Sequence, residues 1–281
     1  MNELKPFGMH LEGEILDYYQ RGDEASRLLQ GYGRLEFART MDILGRYLPE
    51  PPAVILDVGG GSGVYAYPMA KCGHEVHLID VVPLHIEQAL QRSIEQPRQP
   101  LASVEVGDAR KLELPDESVD AVLLFGPLYH LTDVVDRAVA LKEALRVLKA
   151  GGLVFAAAIS RFASTLQGLA RDYLEDPEFA AIAERDLIDG QHRNPTDKTG
   201  YFTTAFFHHP DELRSEVKEA GFELKATLAV EGPVWMFHDI ATQWEDGKKR
   251  QRLLEVIRMI EAEPSMLGTS AHIMAIGRKS G

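Results

Sequence analysis

The chain has 281 residues, 45% of them hydrophobic, with 43 acidic against 30 basic side chains and a formal charge of −13. That length and apolar content suit one large α/β domain, or one domain with an added cap, and exclude a disordered or collagen-like chain. The acidic balance repels phosphate polyanions and argues against a general nucleic-acid binder. The densest basic run, Lys248-Lys249-Arg250 with Arg252, reads as a solvated helix face. A single cysteine, Cys72, excludes an intrachain disulfide and a thiolate metal cluster built from one chain. The opening MNELKPFGMHLEGEI lacks the flanks of a secretion signal. The longest apolar runs fall short of the roughly 20 residues a bilayer span needs. A soluble, cytoplasmic protein with no membrane partner is expected.

In chain order, the first 45 residues are helix-forming and stand outside the sheet. AVILDV (53–58) is apolar on both faces, as a buried strand is, and a helix runs from about Val64 to Cys72. HEVHLID (74–80) is the second strand and HIEQALQRSIEQ (85–96) the next helix. SVEVGDA (103–109) and DAVLLFG (120–126) add two strands around a turn at 115–118. From Asp133 to Lys149 an amphipathic helix carries Val134, Ala138, Leu141, Leu145 and Leu148 on one face, with Gly151-Gly152 as its stop. LVFAAAIS (153–160) is the fifth strand. Such alternation of apolar strands with helices indicates a parallel sheet covered on both sides.

After Ser160 the rhythm breaks. Residues 161–205 are helix-like but poorly periodic and end in a polar loop, DGQHRNPTDKTG (189–200). HPDELRSEVKEAGF (209–222) is an N-capped helix ended by Gly221, and ELKATLAVEG (223–232) is a strand. An insertion, 233–268, precedes the last strand, SAHIMAIGRK (270–279). The expected fold class is α/β: a Rossmann-like, doubly wound, mostly parallel seven-stranded sheet with helical cap insertions, in one domain spanning 1–281. The core occupies about 46–160, 206–232 and 269–281; the cap comes from 1–45, 161–205 and 233–268.

The functional signal is VILDVGGGSG (54–63), a glycine turn between the first strand and the first helix. Open parallel sheets bind nucleotides there. Dinucleotide binders space the glycines G-x-G-x-x-G; here the spacing is Gly59-x-Gly61-x-Gly63, with Val64 where the third glycine would fall. Asp57 precedes the loop by two residues. A carboxylate there opposes a phosphate and favours a ligand carrying an ammonium group.

Asp57-x-Gly59-x-Gly61-x-Gly63 resembles the first motif of the class I S-adenosylmethionine-dependent methyltransferases of small-molecule type, and the resemblance extends over most of 53–160. It implies S-adenosyl-L-methionine as cofactor, held at Asp57, Gly59, Gly60 and Gly61. It implies Asp80 and Val81 at the ribose, Asp108 and Ala109 at the adenine, and Phe125 and Gly126 at the methionyl group. Upstream, YYQRGDEASRLLQGYGRLEFART (18–40) resembles the N-terminal helices of glycine N-methyltransferase-like enzymes. That likeness places Tyr19 near the sulfonium and Arg39 on the cofactor carboxylate, roles that suit a tyrosine ring and a forked guanidinium.

Methyl transfer from a sulfonium is one in-line displacement and needs a base only when the acceptor arrives protonated. In FGPLYHLTD (125–133), Tyr129 and His130 sit where an acceptor would approach. His130 is the candidate general base, or else a helix cap or loop anchor. DNA amino-methyltransferases carry Asn/Asp-Pro-Pro-Tyr at this place; Gly126-Pro127-Leu128-Tyr129 lacks that side chain, and nucleic acid is again disfavoured as a partner. Arg161, His208 and Trp235 are substrate-binding candidates from the cap, with core packing as the alternative for each. The histidines do not cluster at ligand spacing, so no metal is expected. The sequence therefore points to methyl transfer to a small-molecule acceptor, with a cofactor-binding or regulatory module as the alternative and a homo-oligomer left open.

Overall fold

The structure, a computed structural model, describes residues 13–20, 24–95, 100–196 and 198–281. Residues 1–12, 21–23, 96–99 and 197 lie outside the described residues. They take in the start of the helical N-terminal stretch, part of the 18–40 segment, the last position of the 85–96 helix and one position of the polar loop.

Seven strands form the main sheet among the described residues: β1 Val54–Val58, β2 Glu75–Asp80, β3 Ser103–Val106, β4 Val119–Leu124, β5 Leu148–Ile159, β6 Phe222–Ala229 and β7 His272–Lys279. Their order is β3-β2-β1-β4-β5-β7-β6. The first five pair in parallel, while β7 runs antiparallel to both β5 and β6. The described α-helices of six residues or more are α1 Gly13–Tyr19, α2 Gly33–Tyr47, α3 Ala66–Lys71, α4 Pro83–Glu95 and α5 Val134–Val147, then α6 Ala163–Arg171, α7 Pro177–Asp189, α8 Pro210–Glu219, α9 Ile240–Glu245 and α10 Gly247–Ile260; single turns form at Glu24–Arg27 and Pro127–His130.

Strand alternation sorts the core into two layers. Ile55, Leu78, Leu123 and Phe155 face one way, against Ile43 and Leu44 of α2, Met69 of α3 and Ile86 of α4. Leu56, Val122, Leu124 and Val154 face the other, against Leu141 and Ala144 of α5 and Leu213 and Val217 of α8. Runs apolar on both faces therefore become strands buried on both faces.

One helix differs from its expected outline. Asp133 caps α5 through its side chain, but Val134 is 55% exposed, and the helix ends at Val147 as Leu148 turns extended and opens β5. The glycine pair 151–152 thus lies inside β5 and stops nothing. The buried stripe is Arg137, Ala140, Leu141, Ala144 and Val147. It runs through a charged residue that an apolar count passes over. The Arg137 guanidinium pairs with Glu216 of α8 at 2.7 Å, donates to the carbonyls of Leu131 and Thr132, and lies 3.8 Å from the Phe206 ring centroid.

The segments expected as cap pack in two ways. Leu35 of α2 joins Val234, Trp235, Ile240, Trp244, Leu253 and Ile257 of the 233–268 insertion in a separate apolar cluster. In 161–205, α6 and α7 precede a two-stranded ribbon in which Gln191 and His192 pair with Phe206 and Ala205. The Thr203 hydroxyl donates to the Glu14 carbonyl, and Thr204 to the Glu14 carboxylate, so α1 is tied to this segment. α8 begins in a capping box, His209 with Glu212.

Candidate functional site

The carboxyl ends of the strands open into a cavity of about 410 Å³. Its lining runs from Asp108, just past β3, to Met274 on β7. That is five strand steps, roughly 24 Å at the usual strand spacing.

The glycine loop forms the floor. Gly59 has φ +74°, and a Cβ there would sit 2.7 Å from Pro127 Cδ, so this position combines a left-handed backbone with a close approach. A Cβ on Gly60 would meet Asp57 Oδ2 at 2.7 Å. Asp57 therefore lies under the loop and not on the cavity wall. Both its carboxylate oxygens are buried with no hydrogen-bond partner. Burial, reinforced by the Asp80 charge, pushes its pKa up to about 7. A buried acid without a partner is costly, and a cation arriving over the loop would offset that cost.

Asp80 ends β2 and holds its neighbours in place. Its Oδ2 accepts from the Gly61 N–H at 2.8 Å, and its Oδ1 from the Val82 N–H at 2.8 Å, with His85 Nδ1 at 3.2 Å. A carboxylate has about four lone-pair sites, so acceptor capacity remains on the cavity side. Asp108 also lines the cavity but is gripped by Arg110, whose NH2 lies 2.6 Å from Oδ2. Val81, Ala109, Phe125 and Gly126 line the same wall.

Over this floor stands an aromatic group. The Tyr19 hydroxyl lies 2.6 Å from His130 Nε2, and the Tyr19 ring meets His130 and His85 edge-on at 5.2 and 5.3 Å. Tyr129 lies edge-on to His130 at 4.7 Å and donates to the Phe125 carbonyl. Burial lowers the His130 pKa to about 4.

Four expected site residues lie elsewhere. Arg39 is fully buried away from the cavity, donating to the Val230 carbonyl, Asp42 and Glu261. Arg161 is spent on the Phe207 carbonyl and Glu212; His208 lies outside the cavity lining, its Nε2 on Glu216 and its buried Nδ1 without a partner. Trp235 sits in the apolar cluster of the insertion, its indole N–H donating to the Thr269 carbonyl at 2.9 Å. Each is a polar or amphipathic side chain that the cap uses to satisfy its own buried backbone and charges.

Conversely, the cavity takes in residues that no spacing marked. Arg27, Glu36 and His272 line its far end, and Glu231 stands behind them. Arg27 forks onto Glu36 at 2.5 and 3.0 Å, and His272 Nδ1 lies 2.6 Å from Glu231. Glu36, Glu231 and His272 bring ligand-type atoms within 4.8 Å of one another, yet ion pairs and hydrogen bonds already occupy both carboxylates. These residues come from a helix, a strand exit and a strand start far apart in the chain, so only the fold assembles them. His85, which is not among the sequence candidates, had a local signal: it falls five residues after Asp80, in the first turn of α4. A Ser164–Asp186–His192 set in the cap is no nucleophile, because Ser164 donates to the same carboxylate that holds His192 and not to the imidazole.

Fold and cavity together define a doubly wound α/β protein with a ligand-sized cavity at its strand ends. The methyltransferase-domain family model matches residues 56–156. A ubiquinone/menaquinone biosynthesis C-methyltransferase UbiE of Caulobacter sp. (strain K31) is 31% identical over 174 residues, covering 56% of this chain and 68% of that protein. The UbiE of Caulobacter vibrioides (strain NA1000 / CB15N) is 35% identical over 127 residues, 42% of this chain, and the chain spans about half of that relative's length, 49%. A crystal structure of a SAM-dependent methyltransferase from Methanosarcina mazei shares the fold with a TM-score of 0.59 at 19% identity, covering 85% of this chain and 97% of that one. The chain belongs to the class I S-adenosylmethionine-dependent methyltransferases, and S-adenosyl-L-methionine is its cofactor. No described helix is long and apolar enough to cross a membrane.

Proposed function

We propose that the protein transfers the cofactor's methyl group to a small-molecule acceptor lodged between the glycine loop and the Tyr19–His130 pair. One observation carries this reading: a single cavity joins the glycine-loop floor to further lining at β5 and β7, well beyond the strand ends assigned to the cofactor. When bound, the cofactor supplies an electrophilic methyl group on a sulfonium. Asp80 takes the ribose hydroxyls with its remaining acceptor capacity, Asp108 and Ala109 the adenine edge, and the uncompensated Asp57 favours the ammonium through the loop. Val81, Phe125 and Gly126 complete the wall. The likeness of residues 18–40 to glycine N-methyltransferase-like enzymes supports Tyr19 beside the sulfonium. It also implied Arg39 for the carboxylate, and Arg39, buried away from the cavity, is not placed to fill that role.

His130 is neutral above about pH 4 and accepts its hydrogen bond from Tyr19, while Nδ1 faces the Thr204 carbonyl at 3.4 Å. We assign the pair to positioning and water exclusion, because an imidazole held neutral to that pH is a weak base. The UbiE relatives are named for C-methylation in quinone biosynthesis, which supports a ring-bearing acceptor. The test is calorimetric titration with S-adenosylmethionine and S-adenosylhomocysteine, followed by incubation of a metabolite extract with labelled cofactor. Binding with transfer of label is the expected result; binding without transfer to any metabolite would leave a cofactor-binding module.

A further inference from the structure

We propose that the far end of the cavity, beneath β7, binds a carboxylate of the acceptor through the Nε2–H of His272. The inference rests on the methyl-transfer reading and names its substrate class: an organic acid.

At this end both carboxylates are already engaged, and His272 still offers a ring nitrogen to the cavity. Glu36 is buried and both its oxygens accept from Arg27. Glu231 is 1% exposed; its Oε2 accepts from the Ser270 hydroxyl and the His272 N–H, and its Oε1 from His272 Nδ1 at 2.6 Å. With Arg27 and a protonated His272 against two glutamates, the cluster is neutral and its carboxylates are spent. An amine would find no acceptor without breaking an ion pair. His272 Nε2, in contrast, has no hydrogen-bond partner among the described residues, and the ring lines the cavity. Glu231 fixes the ring from behind, as an orienting carboxylate does.

Burial alone would drive His272 toward the neutral form, but Glu36 and Glu231 outweigh it and raise its pKa to about 9. The ring is therefore an imidazolium at neutral pH, with N–H donors on both sides. Val230 and Met274 line the cavity with it, and Glu36 and Glu231 beside it are buried, so a charge-assisted hydrogen bond here is less screened than in bulk water. Location separates this site from the cofactor's tail. His272 opens β7, two strand steps beyond β4 in the sheet order and so roughly 10 Å from the strand end assigned to the methionyl group.

The test needs no knowledge of the natural acceptor. Protein labelled with ¹⁵N in its histidines and loaded with S-adenosylhomocysteine is titrated with benzoate, with benzamide as the neutral isostere. The imidazole resonances are followed, that of His272 being assigned from H272Q. Benzoate should shift the His272 Nε2 resonance saturably and bind on the order of tenfold or more tighter than benzamide, as a charged hydrogen bond requires. Equal affinities, or no shift of that resonance, would overturn the proposal. Repeating the titration with 5′-methylthioadenosine, which lacks the amino-acid tail, separates the two sources of carboxylate. If benzoate binds only when the tail is absent, the site belongs to the cofactor and the acceptor assignment fails. Binding of S-adenosylhomocysteine itself, read in the same samples, reports separately on the methyl-transfer reading. Should H272Q fail to fold, the preference of the wild type for benzoate over benzamide still decides the outcome, equal affinities overturning the proposal.

Discussion

Charged side chains serve opposite purposes at the sheet's first strand ends and in the cap. At the β1–β2 edge, Asp57 is buried with both oxygens unpartnered, and Asp80 keeps capacity toward the cavity after pinning two backbone N–H groups. In the cap, Arg39 and Arg161 are also buried, but carboxylates and carbonyls hold each of them. The first region stores unmet polar capacity for a ligand; the second consumes its own to hold segments together. A charged residue's chemistry thus indicates what it can bind, and its neighbours decide whether anything is left to bind with.

That contrast predicts effects of different kinds. The largest is on stability. Arg39→Met leaves Glu261 facing Arg46 alone, and loss of a buried partner should cost about 3–5 kcal/mol in denaturant unfolding with S-adenosylhomocysteine affinity unchanged. A loss of affinity in folded protein would break the contrast. Next, Asp80→Ala should weaken S-adenosylhomocysteine binding about a hundredfold while the thermal midpoint moves little. Retained affinity in calorimetry would refute its assignment to the ribose. Third, Gly59→Ala forces a left-handed alanine against Pro127 and should cost about 1–2 kcal/mol of stability, with weaker cofactor binding in the same samples.

The smallest effect is a proton. Asp57 has a folded pKa near 7, above its unfolded value, so its contribution to stability is full below about pH 4 and lost as pH rises through about 7. An ammonium over the loop favours the ionised form. Cofactor binding near pH 6 should therefore release a fraction of a proton, seen as a buffer-dependent heat, and affinity should rise less than about tenfold from about pH 5 to about pH 7. Asp57→Asn should abolish that release. A buffer-independent heat in the wild type would show that the ammonium does not act on this carboxyl.

Much of the fold is legible in the sequence because apolar runs and turn residues are local signals. β1, β2, β4 and β5 follow from runs such as VILDV and LVFAAAI, and α8 from Pro210 behind a capping residue. The outline of α5 slipped because its buried face passes through Arg137, whose ion pair with Glu216 spans 79 positions and leaves no trace in the helix's own period. The cavity floor was legible for the same local reason: Gly59 to Gly61, Asp80, Asp108 and Gly126 all fall at strand exits. Its far end was not. Glu36, Glu231 and His272 meet only because β7 inserts between β5 and β6, a topological fact that no residue spacing encodes.

The Arg137 anchor reaches further than the helix it steadies. One guanidinium joins Glu216 of α8 to the carbonyls of Leu131 and Thr132 in the cavity wall directly after His130. Sequence drift on that helix is thereby transmitted to the cavity wall. A lineage altering Glu216 would reshape that wall without changing any residue of the wall itself.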